Sequence, residues 1–268
     1  MKILFPPSGF KQYLRSNEVA DYSAAGVLHA IPDAKIYKAP LADEGEDFTK
    51  ALVTVTKGTM HAVKVTGPVG QEVEAYFGFL GGPGPKTAVL KILPEAGLTL
   101  APRSSFNPLA TTTYGVGELI RTALDMGAQK LLIGCGDPGT NDGGAGMAQA
   151  LGVRLLDTAG QQISWGAAAL AKLVRIDMSN LDPRVHNVEF DVACNWNSIL
   201  CGPRGISKIF GPQQGMSPQA IQLLTAAFEN YADVIQRDLG IDVRTMPGSG
   251  AAGGLGTALH VFLKATLS

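Results

Sequence analysis

The stretch KLLIGCGDPGTNDGGAG, residues 130–146, starts as a short apolar run (Leu131, Leu132, Ile133), and the helix-compatible run Met147-Ala148-Gln149-Ala150-Leu151 follows it. The stretch holds six glycines and two aspartates. Strand, glycine-rich loop and helix start, in that order, offer free backbone N–H groups and a helix dipole to an anion. Glycine supplies the positive φ and the close backbone approach that such a loop needs. Asp137 and Asp142 add what an anion cradle alone does not require, because carboxylates there can hold Mg²⁺ or accept a proton. A phosphate cradle beside carboxylates points to phosphoryl transfer. The plainer reading is an ordinary strand-to-helix turn in which Asp142 caps the helix.

Composition narrows the classes. A chain of 268 residues holds two domains or one large one. With 46% hydrophobic and 17% charged residues, it favours large buried sheets and argues against disorder. A net charge of −1 without a basic run argues against nucleic-acid binding. No apolar run reaches the length of a membrane span, and the first residues, Met1 to Phe5, are too few for a secretory h-region. Cys135, Cys194 and Cys201 form no CxxC pattern and read as reduced thiols of a cytoplasmic protein. Cys135 is a small buried filler or a redox-sensitive thiol. The four histidines show no metal-ligand spacing.

On both sides of the loop the chain alternates. Strands are expected at 2–5 and 34–38, with helices at 18–30 and 47–56, a rhythm that implies a parallel sheet. Three successive strands follow at 61–66, 72–80 and 87–92, separated by Gly-Pro punctuation. Val73, Ala75 and Phe77 alternate with Glu72, Glu74 and Tyr76, as in a half-buried antiparallel strand. The change of rhythm places a domain boundary near 66–70. The expected organisation is an N-terminal parallel α/β domain, 1–68, and a larger α/β domain with a mixed sheet, 69–268. Further on, 115–126 reads as a helix ended by Gly127, and 188–193 as a strand. The clearest helix is 217–239, capped by Ser217, opened by Pro218 and closed by Gly240. Its stripe of Ile221, Leu224, Phe228, Tyr231 and Ile235 is core. A second glycine-rich loop, PGSGAAGGLG at 247–256, opens a helix expected over 257–267.

Candidate site residues lie where strands are expected to end. Four acids crowd 43–47; Glu44 and Asp47 suit a helix N-terminus, and Asp43 and Glu46 suit a ligand crevice. Lys11 follows the first strand and can neutralise a phosphate or carboxylate. In NPLATTTYGVG, 107–117, the hydroxyls of Thr112 and Thr113 can bind a small oxyacid, or Thr113 simply caps the helix. Asn195 follows a strand, and Arg204 can clamp a carboxylate. No complete Walker A motif is present; GGLGT at 253–257 lacks its lysine.

NPLATTTYGVGELIRTALDMG, TNDGGAGMAQALG, CGPRGISKIFGPQ and PGSGAAGGLGTAL occur together and in order, and on them the chain resembles the bacterial glycerate kinase family. The resemblance runs from Met1 to the C-terminus. It implies two α/β domains, one inserted in the other, an acid site in the cleft, Mg²⁺ and ATP as cofactors, and glycerate 2-phosphate as product. It places Asp142, Asn141 and Asn195 at the catalytic centre, with Asp142 on the metal. Lys11, Asp43, Glu46, Thr112, Thr113 and Arg204 fall on the substrate. Gly136, Gly139, Gly248, Gly250, Gly253 and Gly254 fall on the nucleotide. Family members continue further at the C-terminus, so either a partner or a second copy is expected to cover the N-terminal sheet, or the fold is remodelled. The family pattern Pro-Asp-Ser-Phe-Lys is Pro7-Ser8-Gly9-Phe10-Lys11 here, its Ala-Cys-Asp is Ala193-Cys194-Asn195, and Lys91 stands where a glutamate is expected. These changes leave a second reading, a non-catalytic paralogue that binds a small anionic metabolite or regulates a partner. A third is a kinase for another hydroxy acid.

Overall fold

A computed structural model describes residues 1–7, 14, 16–38, 48–92, 107–136 and 139–268, with Asn17 by its backbone alone. The N-terminal rhythm is as expected. Strand β1 (Lys2–Phe5) and strand β2 (Lys35–Lys38) pair in parallel, Lys2 opposite Lys35 and Phe5 opposite Lys38, with helix α1 (Ser16–Ala30) between them. Ala20 and Ala24 of α1 are buried, while Leu4 and Tyr37 on the strands are 60% and 50% exposed, so this small sheet is only partly covered.

Helix α2 (Phe48–Thr56) leads into the second sheet, which has strand order β10-β9-β6-β5-β4-β3. Strand β4 (Glu72–Phe79) runs antiparallel to both of its neighbours, β3 (Thr59–Thr66) and β5 (Thr87–Ile92). Strands β5, β6 (Lys130–Cys135), β9 (Glu189–Ala193) and β10 (Thr266–Leu267) are parallel. A separate antiparallel pair, β7 (Arg154–Leu156) and β8 (Arg175–Asp177), lies outside it.

The change of sheet falls earlier than the strand pattern suggests. β3, read as the end of the N-terminal unit, pairs with β4 from Thr59–Phe79 to Thr66–Glu72. The Gly-Pro punctuation at 67–68 closes this hairpin: Gly67 N donates to Gln71 O at 2.6 Å, and Gly70 N to Gly67 O. Turn residues mark a reversal equally well inside a domain or between two. α2 also belongs to the larger sheet. A Cβ on Gly78 would strike the Val53 side chain, and one on Gly134 would meet the Phe48 ring.

Helices cover the sheet. α3 (Tyr114–Asp125) buries Leu119, Ile120, Ala123 and Leu124. The short helices α4 (Ala145–Ala150), α5 (Ala167–Leu170) and α6 (Ile206–Phe210) fill the connections. α7 (Pro218–Leu239) keeps its predicted ends: Ser217 Oγ accepts from Ala220 N at 3.2 Å, and Gly240 adopts φ 73°. Its stripe of Leu224, Phe228, Tyr231 and Ile235 is buried.

The last helix differs from expectation. α8 (Ala251–Leu263) starts inside the glycine-rich loop and kinks through Ala252, Gly253 and Gly254, all at positive φ. It stops at the left-handed Lys264, and the final residues form β10 against β9. Because β4 is antiparallel to both neighbours, β3 runs with β5, β6, β9 and β10. Five strands therefore end at one edge, the usual ligand side of such a sheet.

Candidate functional site

The connection from β6 to α4 is built around one carboxylate. Asp142 is fully buried. Its Oδ2 accepts from Thr113 N at 2.8 Å and Gly146 N at 3.0 Å, and its Oδ1 from Gly144 N at 3.0 Å. Thr113 Oγ1 donates to the same carboxylate and accepts from Met147 N. Gly143 and Gly144 turn the chain into α4 with φ of 65° and 77°. The N–H groups that the sequence offers to an external anion are thus taken inside the protein, and the anion at the start of α4 is Asp142 itself. Burial pushes its carboxyl above the usual range, opposed by the donors from Thr113, Gly146 and Gly144.

That geometry corrects the metal assignment. Both Asp142 oxygens are enclosed and occupied by protein donors, which does not fit a Mg²⁺ ligand. Among the described residues no three His, Cys, Asp or Glu side chains gather to hold an ion. Thr113 departs from the simple cap as well. It occupies the N-cap position of α3 without a side-chain cap bond, because its hydroxyl serves Asp142.

Beside this joint lies a cavity of about 60 Å³. It opens where β4 leaves β5: their pairing stops at Phe77–Leu90, although β4 stays paired with β3 to Glu72. The wedge is lined by Val65, Val73, Lys91, Thr112, Gly139 and Thr140, among others, with the first turns of α3 as one wall. Thr112 is buried, and its Oγ1 accepts from Tyr114 N, which leaves the hydroxyl proton free to donate. Thr140, not singled out in the sequence, lines the same space. The lining combines polar residues with an apolar floor, which suits a small organic acid.

The second glycine-rich loop is packed against the protein. Gly248 N donates to Trp196 O, Gly250 N to Ser198 O, and Gly254 N to Gly250 O. A Cβ on Gly253 would overlap Thr140 O, and one on Gly250 would press on Ile199 and Ile206. At Gly250, Gly253 and Gly254 backbone lies on backbone, and at Gly248 the Leu267 and Cys194 side chains close in, which corrects their reading as a nucleotide cradle. Gly139 is buried at the cavity, and Gly136 is half-buried at the end of β6.

The remaining candidates are dispersed. Asn141 is buried and donates from Nδ2 to Gln214 Oε1 at 2.8 Å, tying the loop to the turn before α7. Asn195 is exposed, and its Oδ1 accepts from Asn197 N in a local turn. Arg204 is exposed, outside the cavity lining. Lys11, Asp43 and Glu46 lie outside the described residues.

Comparison with known proteins agrees over the whole length. The model of the glycerate kinase family matches residues 3–268. A glycerate kinase of Bacillus subtilis is 45% identical, covering 100% of this chain and 69% of the relative. A glycerate 2-kinase of Escherichia coli is 44% identical, over 100% and 70% respectively. A glycerate kinase of Haemophilus influenzae is 44% identical, over 97% and 68%. Among solved structures, one assigned as glycerate kinase 2 of Salmonella typhimurium LT2 superposes with a TM-score of 0.83 at 44% identity, covering 100% of this chain and 72% of that one.

Proposed function

The chain belongs to the glycerate kinase family, and from that premise we propose that it transfers a phosphoryl group from ATP to the 2-hydroxyl of D-glycerate, giving 2-phosphoglycerate. Relatives at 42–45% identity are named glycerate kinases, which supports an enzyme over a non-catalytic paralogue. ATP supplies the phosphoryl group. Mg²⁺ would accompany the nucleotide and neutralise its phosphate charge; the enclosed, donor-saturated Asp142 does not fit as its ligand.

The observation that carries the site is that two threonines, Thr112 and Thr140, line one cavity at the strand-end edge. Thr112, with its oxygen held by Tyr114 N, donates its proton to an oxygen of the acid. Thr140 donates from the opposing loop. Asp142 and Asn141 are positioning residues: one locks Thr113 to the loop, the other locks the loop to the turn before α7. Catalysis then rests on placing the acceptor hydroxyl, as phosphoryl transfer requires little covalent help from the protein.

The test couples ADP release to D-glycerate with Mg²⁺-ATP, and identifies the product by phosphorus NMR. Thr112→Val and Thr140→Val should each raise KM for glycerate about tenfold, the loss of about 1.4 kcal/mol of hydrogen bonding, with KM for ATP little changed. Unchanged glycerate KM in both variants would move the acid elsewhere. A folded protein without glycerate-dependent ADP release would overturn the function.

A further inference from the structure

Tyr114 and Trp165 form an aromatic pair beside the cavity. Their ring centroids lie 5.0 Å apart and their planes are inclined at 43°. Tyr114 opens α3, directly after Thr112 and Thr113 and directly before Gly115, all three of which line the cavity. Tyr114 is half-buried, and Trp165 is 43% exposed. The β3–β4 turn meets them: a Cβ on Gly70 would sit 3.6 Å from the Trp165 ring, and Thr112 N donates to Pro68 O at 2.9 Å. The backbone after Trp165 is held as well. Gly166 adopts φ 93°, a Cβ there would press on Leu109 O, and Ala168 N donates to Leu109 O at 3.1 Å. A large, open indole on a fixed backbone is a preorganised apolar face.

The rest of the site narrows what covers that face. The β6–α4 loop commits its N–H groups to Asp142, and the loop at 247–256 packs against the protein itself, so neither offers an open nucleotide cradle. A purine lays its flat π-face on an exposed aromatic ring, and such stacking contributes about 1–3 kcal/mol per base. We propose that the Tyr114–Trp165 pair is the base-stacking site of the nucleotide, with the adenine on the Trp165 indole and the phosphates directed to the cavity beside Thr112 and Thr113. This placement rests on ATP being the phosphoryl donor. Trp196, the second of two tryptophans, follows β9 outside the cavity lining and is the internal control.

The experiment titrates the intact protein with ADP, follows tryptophan fluorescence, and measures affinity by calorimetry. ADP should change the emission of the wild type and of Trp196→Phe, but not that of Trp165→Phe. Trp165→Ala and Tyr114→Ala should each weaken ADP about tenfold, as loss of stacking requires. Trp165→Phe, which keeps a ring, should recover most of that affinity. Binding of inorganic tripolyphosphate, which has no base, should be the same in all variants. Unaltered ADP affinity in both alanine variants, a response carried by Trp196, or equal weakening of ADP and tripolyphosphate would overturn the base site and leave the kinase reading standing. A wild type that binds no ADP would overturn both. A Trp165 response to ADP in a protein without glycerate-dependent turnover would support the base site and remove the glycerate reading.

Discussion

The Thr113 amide and hydroxyl both donate to Asp142, which lies 29 residues further along the chain. This joint fixes the start of α3 to the loop after β6, and so sets one wall of the cavity against another.

Asp142→Asn should cost about 2–3 kcal/mol of folding free energy. The amide would turn an NH₂ group toward the N–H donors of Thr113, Gly144 and Gly146, leaving buried donors unpaired. Thr113→Val removes a group of the same network, so the double variant should lose less than the sum of the two. Urea unfolding measures this; strict additivity would show that the two residues act independently.

Gly253→Ala should destabilise by about 3 kcal/mol or more, since φ is +68° and a Cβ would overlap Thr140 O. A shift in thermal midpoint reports the cost. The displaced Thr140 should also raise KM for glycerate, whereas an unaltered midpoint would mean that the loop yields freely.

Tyr231→Phe should be neutral or stabilising by about 1 kcal/mol. The phenol is fully buried on α7, and its hydroxyl has no hydrogen-bond partner among the described residues. Burial, reinforced by the charge of Asp142, pushes its proton affinity up, so it stays neutral. A loss above about 1 kcal/mol would show that the hydroxyl is bonded.

Asp182 should make the fold acid-sensitive. Side-chain hydrogen bonds from Arg184 hold its carboxyl below the ordinary 3.8, against the opposing effect of burial. A depressed folded-state value stabilises above the unfolded value, and that stability disappears as pH falls through the folded value. Between about pH 6 and about pH 3 the urea midpoint of the wild type should fall further than that of Asp182→Asn. Parallel curves would remove Asp182 from the account.

Local rules made much of this fold legible. β1, β2 and α1 followed from the alternation of apolar runs, and α7 from its Ser217-Pro218 start and Gly240 stop. The misreadings share one cause, that the same residue types serve two purposes. Gly67-Pro68 reads as part of a domain boundary and closes the β3–β4 hairpin. Lys264 and the residues after it continue a helical pattern, yet the chain leaves the helix to add β10 to the edge of the sheet.

The sequence alone determined the α/β class, the positions of most strands and helices, and the family, because periodicity, caps and motif order are properties of neighbours along the chain. Tertiary structure decided what the loops do. Glycine makes room equally for a phosphate and for another stretch of backbone, and at Gly253 the occupant is Thr140. A carboxylate after a strand suits a metal or a buried joint, and Asp142 became a joint when Thr113, Gly144 and Gly146 saturated it. Burial and donor saturation depend on residues far apart in sequence, so they exist only once the chain has folded.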